Sequence, residues 1–234
     1  MQIFYAPDIT GYTYVLDENE SRHSVRVLRL KKGSPVRLID GRGNMYEGVI
    51  TDPDFRRCVI GIKSVVENFG KRDYRLHIGI SPVKNHERFE WFVEKSVEIG
   101  IDEITPLICR HTEKSSIKSA RVRNIIIAAM KQSIKAENTA LNEPCLFNDF
   151  INYGHKGELM IAYCDQKIAG SKISDVYSKG RDAVILIGPE GDFTEDEINS
   201  AISRGFRAVN LGNSRLRTET AGIVACHSVY FLNL

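Results

Sequence analysis

Ala183-Val184-Ile185-Leu186-Ile187-Gly188-Pro189-Glu190-Gly191-Asp192-Phe193-Thr194 is the stretch that decides the fold of this 234-residue chain. Five apolar residues in succession show no alternation of wet and dry faces, so the run reads as a strand covered on both sides. A glycine ends it. Thr194 and Glu197 then form a capping box, in which hydroxyl and carboxylate each satisfy a free amide at the start of a helix. Gly188 and Gly191 leave the backbone between strand and helix uncovered, and Pro189 stiffens the turn. Strand, glycine loop and helix in this order form the unit of a parallel sheet, whose ligands bind beyond the carboxyl ends of the strands. The same spacing also fits a plain strand-to-helix turn.

The unit recurs downstream. Ala208-Val209-Asn210-Leu211 reads as a strand, and Leu211-Gly212-Asn213-Ser214-Arg215-Leu216-Arg217-Thr218-Glu219-Thr220-Ala221 as the loop after it, ahead of an apolar helix over 221–232. Spacing alone reaches a small-molecule pocket with polar tuning, or a solvated connection with a helix cap. Upstream, strands are expected at 76–80, 103–108 and 159–163, and helices at 87–100, 121–135 and 195–204, the first ending on Gly100 as a C-cap. The expected fold class is α/β with a parallel sheet.

The first 70 residues have a different texture. Pro35-Val36-Arg37-Leu38-Ile39 and Met45-Tyr46-Glu47-Gly48-Val49-Ile50 flank Asp40-Gly41-Arg42-Gly43-Asn44, a hairpin signal, and Cys58-Val59-Ile60-Gly61-Ile62 continues the β pattern. A small β-barrel-like domain over 1–70, a polar break at 68–73 and a second domain over 73–234 account for the change. Within the first domain, a short helix over 18–30 would place Arg22, Arg26 and Arg29 side by side.

The net charge of +2 conceals two basic bands. Every charged side chain from Ser21 to Arg37 is basic, and from Arg110 to Lys135 seven basic residues stand against Glu113 alone. Such bands suit contact with a polyanion, since phosphate contacts supply most non-specific nucleic-acid affinity, although solvated helix faces look alike. Arg22, Arg26, Arg29, Arg121 and Arg123 are the candidate phosphate contacts. Cys58, Cys109, Cys145, Cys164 and Cys226 are odd in number, widely spaced and without a CxxC pair, which argues against a disulfide framework and a structural zinc site. The histidines lack metal spacing, so no metal is expected. The N-terminus lacks the features of a secretory signal and no apolar run approaches the roughly 20 residues of a membrane span, which makes the cytoplasm the expected location.

At the two loops the sequence resembles the SPOUT methyltransferases, and within them the RsmE family, which methylates N3 of a uridine in 16S ribosomal RNA. The paired C-terminal motifs are Ile187-Gly188-Pro189-Glu190-Gly191 with Leu211-Gly212, and Leu216-Arg217-Thr218-Glu219-Thr220-Ala221. His23 to Arg29 with Asp40-Gly41-Arg42-Gly43 resembles the family's PUA-like segment. Glu94-Lys95-Ser96-Val97-Glu98-Ile99-Gly100-Ile101 and Ala128-Ala129-Met130-Lys131-Gln132-Ser133 are similar to its first two methyltransferase helices. Asp192 stands where the family usually has glycine, a substitution that matters if the backbone there has positive φ. Asn213-Ser214-Arg215 likewise replaces a Pro-Arg-Ile-like run.

The resemblance implies a trefoil-knotted methyltransferase domain behind a PUA-like domain, a homodimer, and 16S rRNA, within the small ribosomal subunit, as partner. It implies S-adenosyl-L-methionine as cofactor, held by Ile187, Gly188, Pro189, Glu190, Gly191, Leu211, Gly212, Leu216, Arg217, Thr220 and Ala221. Uridine N3 carries a proton and is a poor nucleophile until that proton leaves. Arg217 is accordingly expected to stabilise negative charge developing on the uracil, with Glu190 or Glu219 as proton acceptor. Both glutamates could instead only fix loop geometry. A SPOUT enzyme acting on a ribose 2′-hydroxyl or a guanine, or a non-catalytic RNA-binding assembly factor, would share parts of this pattern.

Overall fold

The computed structural model describes residues 1–163 and 171–234, so that Cys164 lies outside the described residues. Contacts divide the chain into two compact units, Met1–Lys71 with Met130–Asn138, and Arg72–Ala129 with Thr139–Leu234. The short return of residues 130–138 to the first unit has no signature in the local sequence.

The first unit is a five-stranded sheet of β1 (Gln2–Tyr5), β2 (Thr13–Val15), β3 (Pro35–Ile39), β4 (Met45–Asp52) and β5 (Val59–Val66), ordered β1-β3-β4-β5-β2. β1 and β3 run parallel and the other pairs antiparallel. Phe4, Leu38, Ile50 and Ile60 fill its core. The β3–β4 hairpin is the one the turn residues call for. Buried Asp40 accepts from the amides of Arg42 and Asn44 at 2.8 and 3.0 Å and from Asn44 Nδ2 at 2.8 Å. Burial alone would raise its carboxyl, but these donors, with Arg42 nearby, hold it below the usual range.

The segment expected as one helix over 18–30 is different. An α-helix, α1 (Glu18–Arg22), passes into a π-helical turn over His23–Val27, closed by Leu28 N on His23 O at 3.0 Å. Buried Ser24 donates its hydroxyl to Ser21 O at 2.9 Å, the carbonyl an α-helical ladder would use for Val25 N. The wider turn replaces regular α-helical spacing between Arg22 and Arg26, and Arg29 follows it at a φ of 55°.

The second unit contains β6 (Leu76–Ile80), α2 (His86–Ile99), β7 (Glu103–Ile108), α3 (Ser119–Ser133, whose last turn belongs to the first unit), β8 (Ala140–Leu141), β9 (Cys145–Leu146), α4 (Phe147–Ile151), β10 (Glu158–Ala162), β11 (Ser171–Lys172), α5 (Ile173–Val176), β12 (Ala183–Ile187), α6 (Glu195–Ser203), β13 (Arg207–Asn210) and α7 (Thr218–Leu232). The strands pair in the order β11-β13-β10-β12-β6-β7-β8, with β9 also on β7, and every pairing is parallel. β12 is buried at all five positions, as its unbroken apolar run requires. Against the sheet, Phe147, Phe150, Phe193, Ile198 and Phe206 from the α4 and α6 region pack on Leu107, Ile161 and Leu186. No helix among the described residues is long and apolar enough to cross a membrane.

The helix expected over 221–232 begins three residues earlier, with Arg217 at its N-cap and Thr218, Glu219 and Thr220 in its first turn. Of its buried residues, Thr218, Gly222, Ala225, Cys226 and Val229 make one stripe, with Glu219 buried beside it in the first turn, and the helix packs on α2 and β6. Gly222 permits that approach: a Cβ there would lie 2.6 Å from Phe92 Cε2 and 2.9 Å from Ile80 Cδ1, both side chains being fully buried. On β6, His77 hydrogen-bonds Thr105 Oγ1 at 2.7 Å and lies edge-on to Phe150 at 5.2 Å. Burial, with His155 and Arg75 nearby, pushes its imidazole down to about 4 against the opposing pull of Glu103.

Two predictions follow from this packing. Gly222→Val destabilises the chain by about 1–3 kcal/mol in urea unfolding, because neither neighbour has room to retreat. His77 is neutral when folded and takes up a proton readily when unfolded, so its contribution is fully present above its ordinary 6.5 and is lost as pH falls from there towards about 4. Wild type is expected to lose on the order of 2–3 kcal/mol more than His77→Gln across that window, and parallel pH profiles of stability would contradict this.

Candidate functional site

The loop after β12 is fixed by its own residues. Asp192 N bonds Pro189 O at 3.0 Å to close a turn, and Asp192 has a φ of 61°. Aspartate here adopts the conformation for which the family pattern would use glycine, and its Oδ1 accepts from Phe193 N at 2.8 Å. Phe193 is buried against Phe147, at 5.5 Å between centroids. The capping box forms as the sequence requires: Glu197 N donates to Thr194 Oγ1 at 3.2 Å, and Thr194 N to Glu197 Oε2 at 2.9 Å. Glu197 Oε1 also accepts from Arg110 N at 2.8 Å, tying in the loop after β7. From that loop, His111 Nδ1 lies 3.1 Å from both Gly191 O and Asp192 O; carbonyls only accept, so this nitrogen carries the hydrogen. Burial pushes the nearby Cys109 thiol up to about 12, which removes it as a nucleophile.

The loop after β13 begins with Gly212 N on Asn210 Oδ1 at 2.6 Å, and Gly212 has a φ of 125° that side-chain-bearing residues avoid. Because β10 lies between β13 and β12, the two loops flank its carboxyl end at Ala162 and Tyr163. Between them is a cleft of about 340 Å³. That volume suits a small organic ligand.

Ile187, Gly188, Pro189, Glu190, Gly191, Leu211, Gly212, Leu216 and Ala221, all expected from the sequence, line the cleft. Arg217 and Thr220 are not among its lining residues: Arg217 is exposed, its carbonyl accepting from Ala221 N at 2.7 Å, and Thr220 is half-buried in the first turn of α7. The structure adds Ala162, Tyr163, Asp192, Asn210, Ser214, Arg215 and Thr218. Glu190 and Glu219 come together through a residue the sequence reading missed. Arg88 Nη1 lies 3.5 Å from Glu190 Oε1, and its Nε 3.8 Å from Glu219 Oε1. A cation in the first turn of a helix opposes the helix dipole, and that misfit was the available signal.

The glycines Gly188, Gly191 and Gly212, the apolar Leu211, Leu216 and Ala221 and the polar Asn210, Ser214 and Arg215, all lining the cleft, fit a ligand with a flat apolar part and a polar chain. Among the described residues no cluster of histidine, cysteine or carboxylate side chains is arranged to hold a metal ion.

The five arginines expected to meet phosphate are all exposed. Arg22 pairs with Glu18 at 2.6 Å, and Arg26 stacks over Phe55 at 3.9 Å. Arg121 grips Glu90 with two nitrogens at 2.7 and 2.8 Å, and Arg123 lies 3.5 Å from Glu143.

Residues 71–230 match the RNA methyltransferase domain family, and residues 16–63 the RNA methyltransferase PUA domain. A "probable rRNA-methyltransferase" from Porphyromonas gingivalis is 41% identical over all of this chain and 98% of its own, with a TM-score of 0.93. A ribosomal RNA small subunit methyltransferase E from Neisseria gonorrhoeae, solved bound to S-adenosyl methionine, is 27% identical over 100% of this chain and 98% of its own, with a TM-score of 0.88. The ribosomal RNA small subunit methyltransferase E of Aquifex aeolicus is 26% identical, covering 94% of this chain and 95% of its own.

Asp192 supplies a direct check on the loop. Asp192→Gly keeps the positive φ and is expected to alter stability by under about 1 kcal/mol, whereas the β-branched Asp192→Val loses roughly 1–3 kcal/mol through backbone strain. Equal unfolding free energies for the two variants would contradict the observed loop conformation.

Proposed function

The chain belongs to the RNA methyltransferase family that includes the ribosomal RNA small subunit methyltransferase E proteins, and from that premise we propose that it methylates N3 of a uridine in 16S rRNA. S-adenosyl-L-methionine, when bound, supplies an electrophilic methyl group on a sulfonium. The observation that carries the proposal is the cleft at the carboxyl end of β10, flanked by the two loops whose sequences bear the family motifs. Ile187, Gly188, Pro189, Glu190 and Gly191 on one side and Leu211, Gly212, Leu216 and Ala221 on the other hold the cofactor in this reading, with Arg217 and Thr220 next to them in the chain but outside the cleft lining.

Displacement at a methyl carbon needs alignment above all, so the loop after β12, closed by the Asp192 N–Pro189 O bond and the Thr194–Glu197 capping box, contributes orientation. At uridine N3 the chain's tasks are to take a proton and to meet the charge left behind. Glu190, at the cleft, and Glu219, buried in the first turn of α7, are the acceptor candidates. Arg217, exposed at the N-cap of α7, offers a guanidinium to the uracil oxygens in this reading. No step needs a metal.

Residues 1–70 act in this reading as a PUA-like RNA-binding domain and 73–234 as the methyltransferase domain, with Arg22, Arg26, Arg29, Arg121 and Arg123 meeting phosphate. The path from β13 at one side of the sheet to α7 over β6 and α2 supports the trefoil knot. The proposal includes a homodimer acting in the cytoplasm on RNA of the small ribosomal subunit.

Calorimetry is expected to give saturable S-adenosylmethionine binding. With small subunits as substrate, at least one of Glu190→Gln and Glu219→Gln is expected to lower kcat roughly 100-fold, and Arg217→Ala to lower it by a similar factor. Near-wild-type turnover in all three variants would remove the catalytic assignments while leaving the cofactor site. Absence of cofactor binding would favour a non-catalytic RNA-binding protein.

A further inference from the structure

Arg88 lies in the first turn of α2, where the free amides make a cation unfavourable. Its position therefore depends on anions, and the two that meet it come from the two sides of the cleft. Glu190 belongs to the loop after β12, and Glu219 to the first turn of α7, whose Thr218 and Ala221 complete the opposite wall. A planar guanidinium presents donors along separate edges and can face two carboxylates at once, which a lysine ammonium does poorly.

The two glutamates are not equivalent. Glu190 is partly exposed, with 40% of its side chain accessible, so its attraction to Arg88 is weakened by water. Glu219 has only 6% of its side chain accessible, and its Oε2 has no hydrogen-bond partner among the described residues. Burying a carboxylate is strongly unfavourable unless a cation or donors compensate it. Arg88 is the cation that meets Glu219, at 3.8 Å from Oε1. Without it, Glu219 is driven to move towards water, carrying the first turn of α7 with it. Gly222, one turn further on, is locked against Phe92, so the displacement falls on Thr218 and Ala221 in the cleft wall.

We propose that Arg88 is a positioning residue for the cofactor cleft: by bridging Glu190 and Glu219 it fixes the spacing between the loop after β12 and the first turn of α7, which wall the cleft that holds S-adenosylmethionine. The inference rests on the reading of the cleft given above. Arg88 touches neither the cofactor nor the uracil in this account; it acts through the two carboxylates.

Calorimetric titration of S-adenosylmethionine into wild type, Arg88→Met, Arg88→Lys, Glu190→Gln and the double variant Arg88→Met/Glu190→Gln tests it, with circular dichroism to confirm the fold. Arg88→Met is expected to weaken binding roughly tenfold through misplacement of the wall. Arg88→Lys should recover part of the loss, since one positive charge returns without the fork. Glu190→Gln should weaken binding less in the Arg88→Met background than in wild type, because the two residues form one network. If Arg88→Met does not fold, Arg88→Lys and its combination with Glu190→Gln carry the same comparison. Binding by Arg88→Met as tight as wild type, no recovery by lysine, or independent effects of the two substitutions would each overturn the proposal. A wild type that binds no S-adenosylmethionine would overturn the cofactor reading and this proposal together, a result distinct from equal binding by wild type and variant.

Discussion

The contact between Gly222 and the ring of Phe92 sets the position of the last helix, and the candidate site follows from that position. With no Cβ on α7 at this point, the helix settles directly on α2 and on Ile80 of β6. Its first turn is thereby held at the carboxyl end of the parallel sheet, beside the loop that follows β12. A larger residue would lift α7 and widen the space in which Thr218 and Ala221 face Gly188 and Gly191. Close helix packing, normally discussed as stability, here fixes the width of a ligand cleft.

Much of this was legible because the relevant residues have strong local preferences. The apolar run 183–187 could form little but a covered strand, and Thr194 with Glu197 starts α6 at the expected place. Gly100 ends α2 as a C-cap, and Asp40 to Asn44 makes the hairpin. The short elements β8, β9, β11, α4 and α5 escaped because two to five residues carry no period, and their conformation is imposed by neighbours in the sheet. The π-helical turn at His23–Val27 escaped for another reason: the serine hydroxyl that captures a ladder carbonyl acts within a segment whose spacing otherwise reads as a regular helix. Its consequence is that Arg22, Arg26 and Arg29, all exposed, do not share one regular α-helix.

The site was legible as two loops and not as a charge network. Motif order identified the glycines and apolar residues that line the cleft, since these lie close together in the chain. Arg88 lies 102 residues before Glu190 and 131 before Glu219 in sequence, and only the folding of α2 onto α7 brings the three groups together. Asp192 is the converse case. It departs from the glycine of the family pattern, yet the structure gives it φ of 61° with its carboxylate on Phe193 N, so the loop keeps its shape through a side-chain hydrogen bond.

The central claim is that the cleft formed by these two loops serves methylation of one uridine in small-subunit rRNA. Mass-spectrometric nucleoside analysis of that rRNA, from a strain deleted for the gene and from the same strain carrying it, addresses the claim most directly. The account predicts that 3-methyluridine disappears on deletion and returns with the wild-type chain. Undiminished 3-methyluridine in the deletion strain, or loss of a ribose-methylated or guanine-methylated nucleoside in its place, would contradict it.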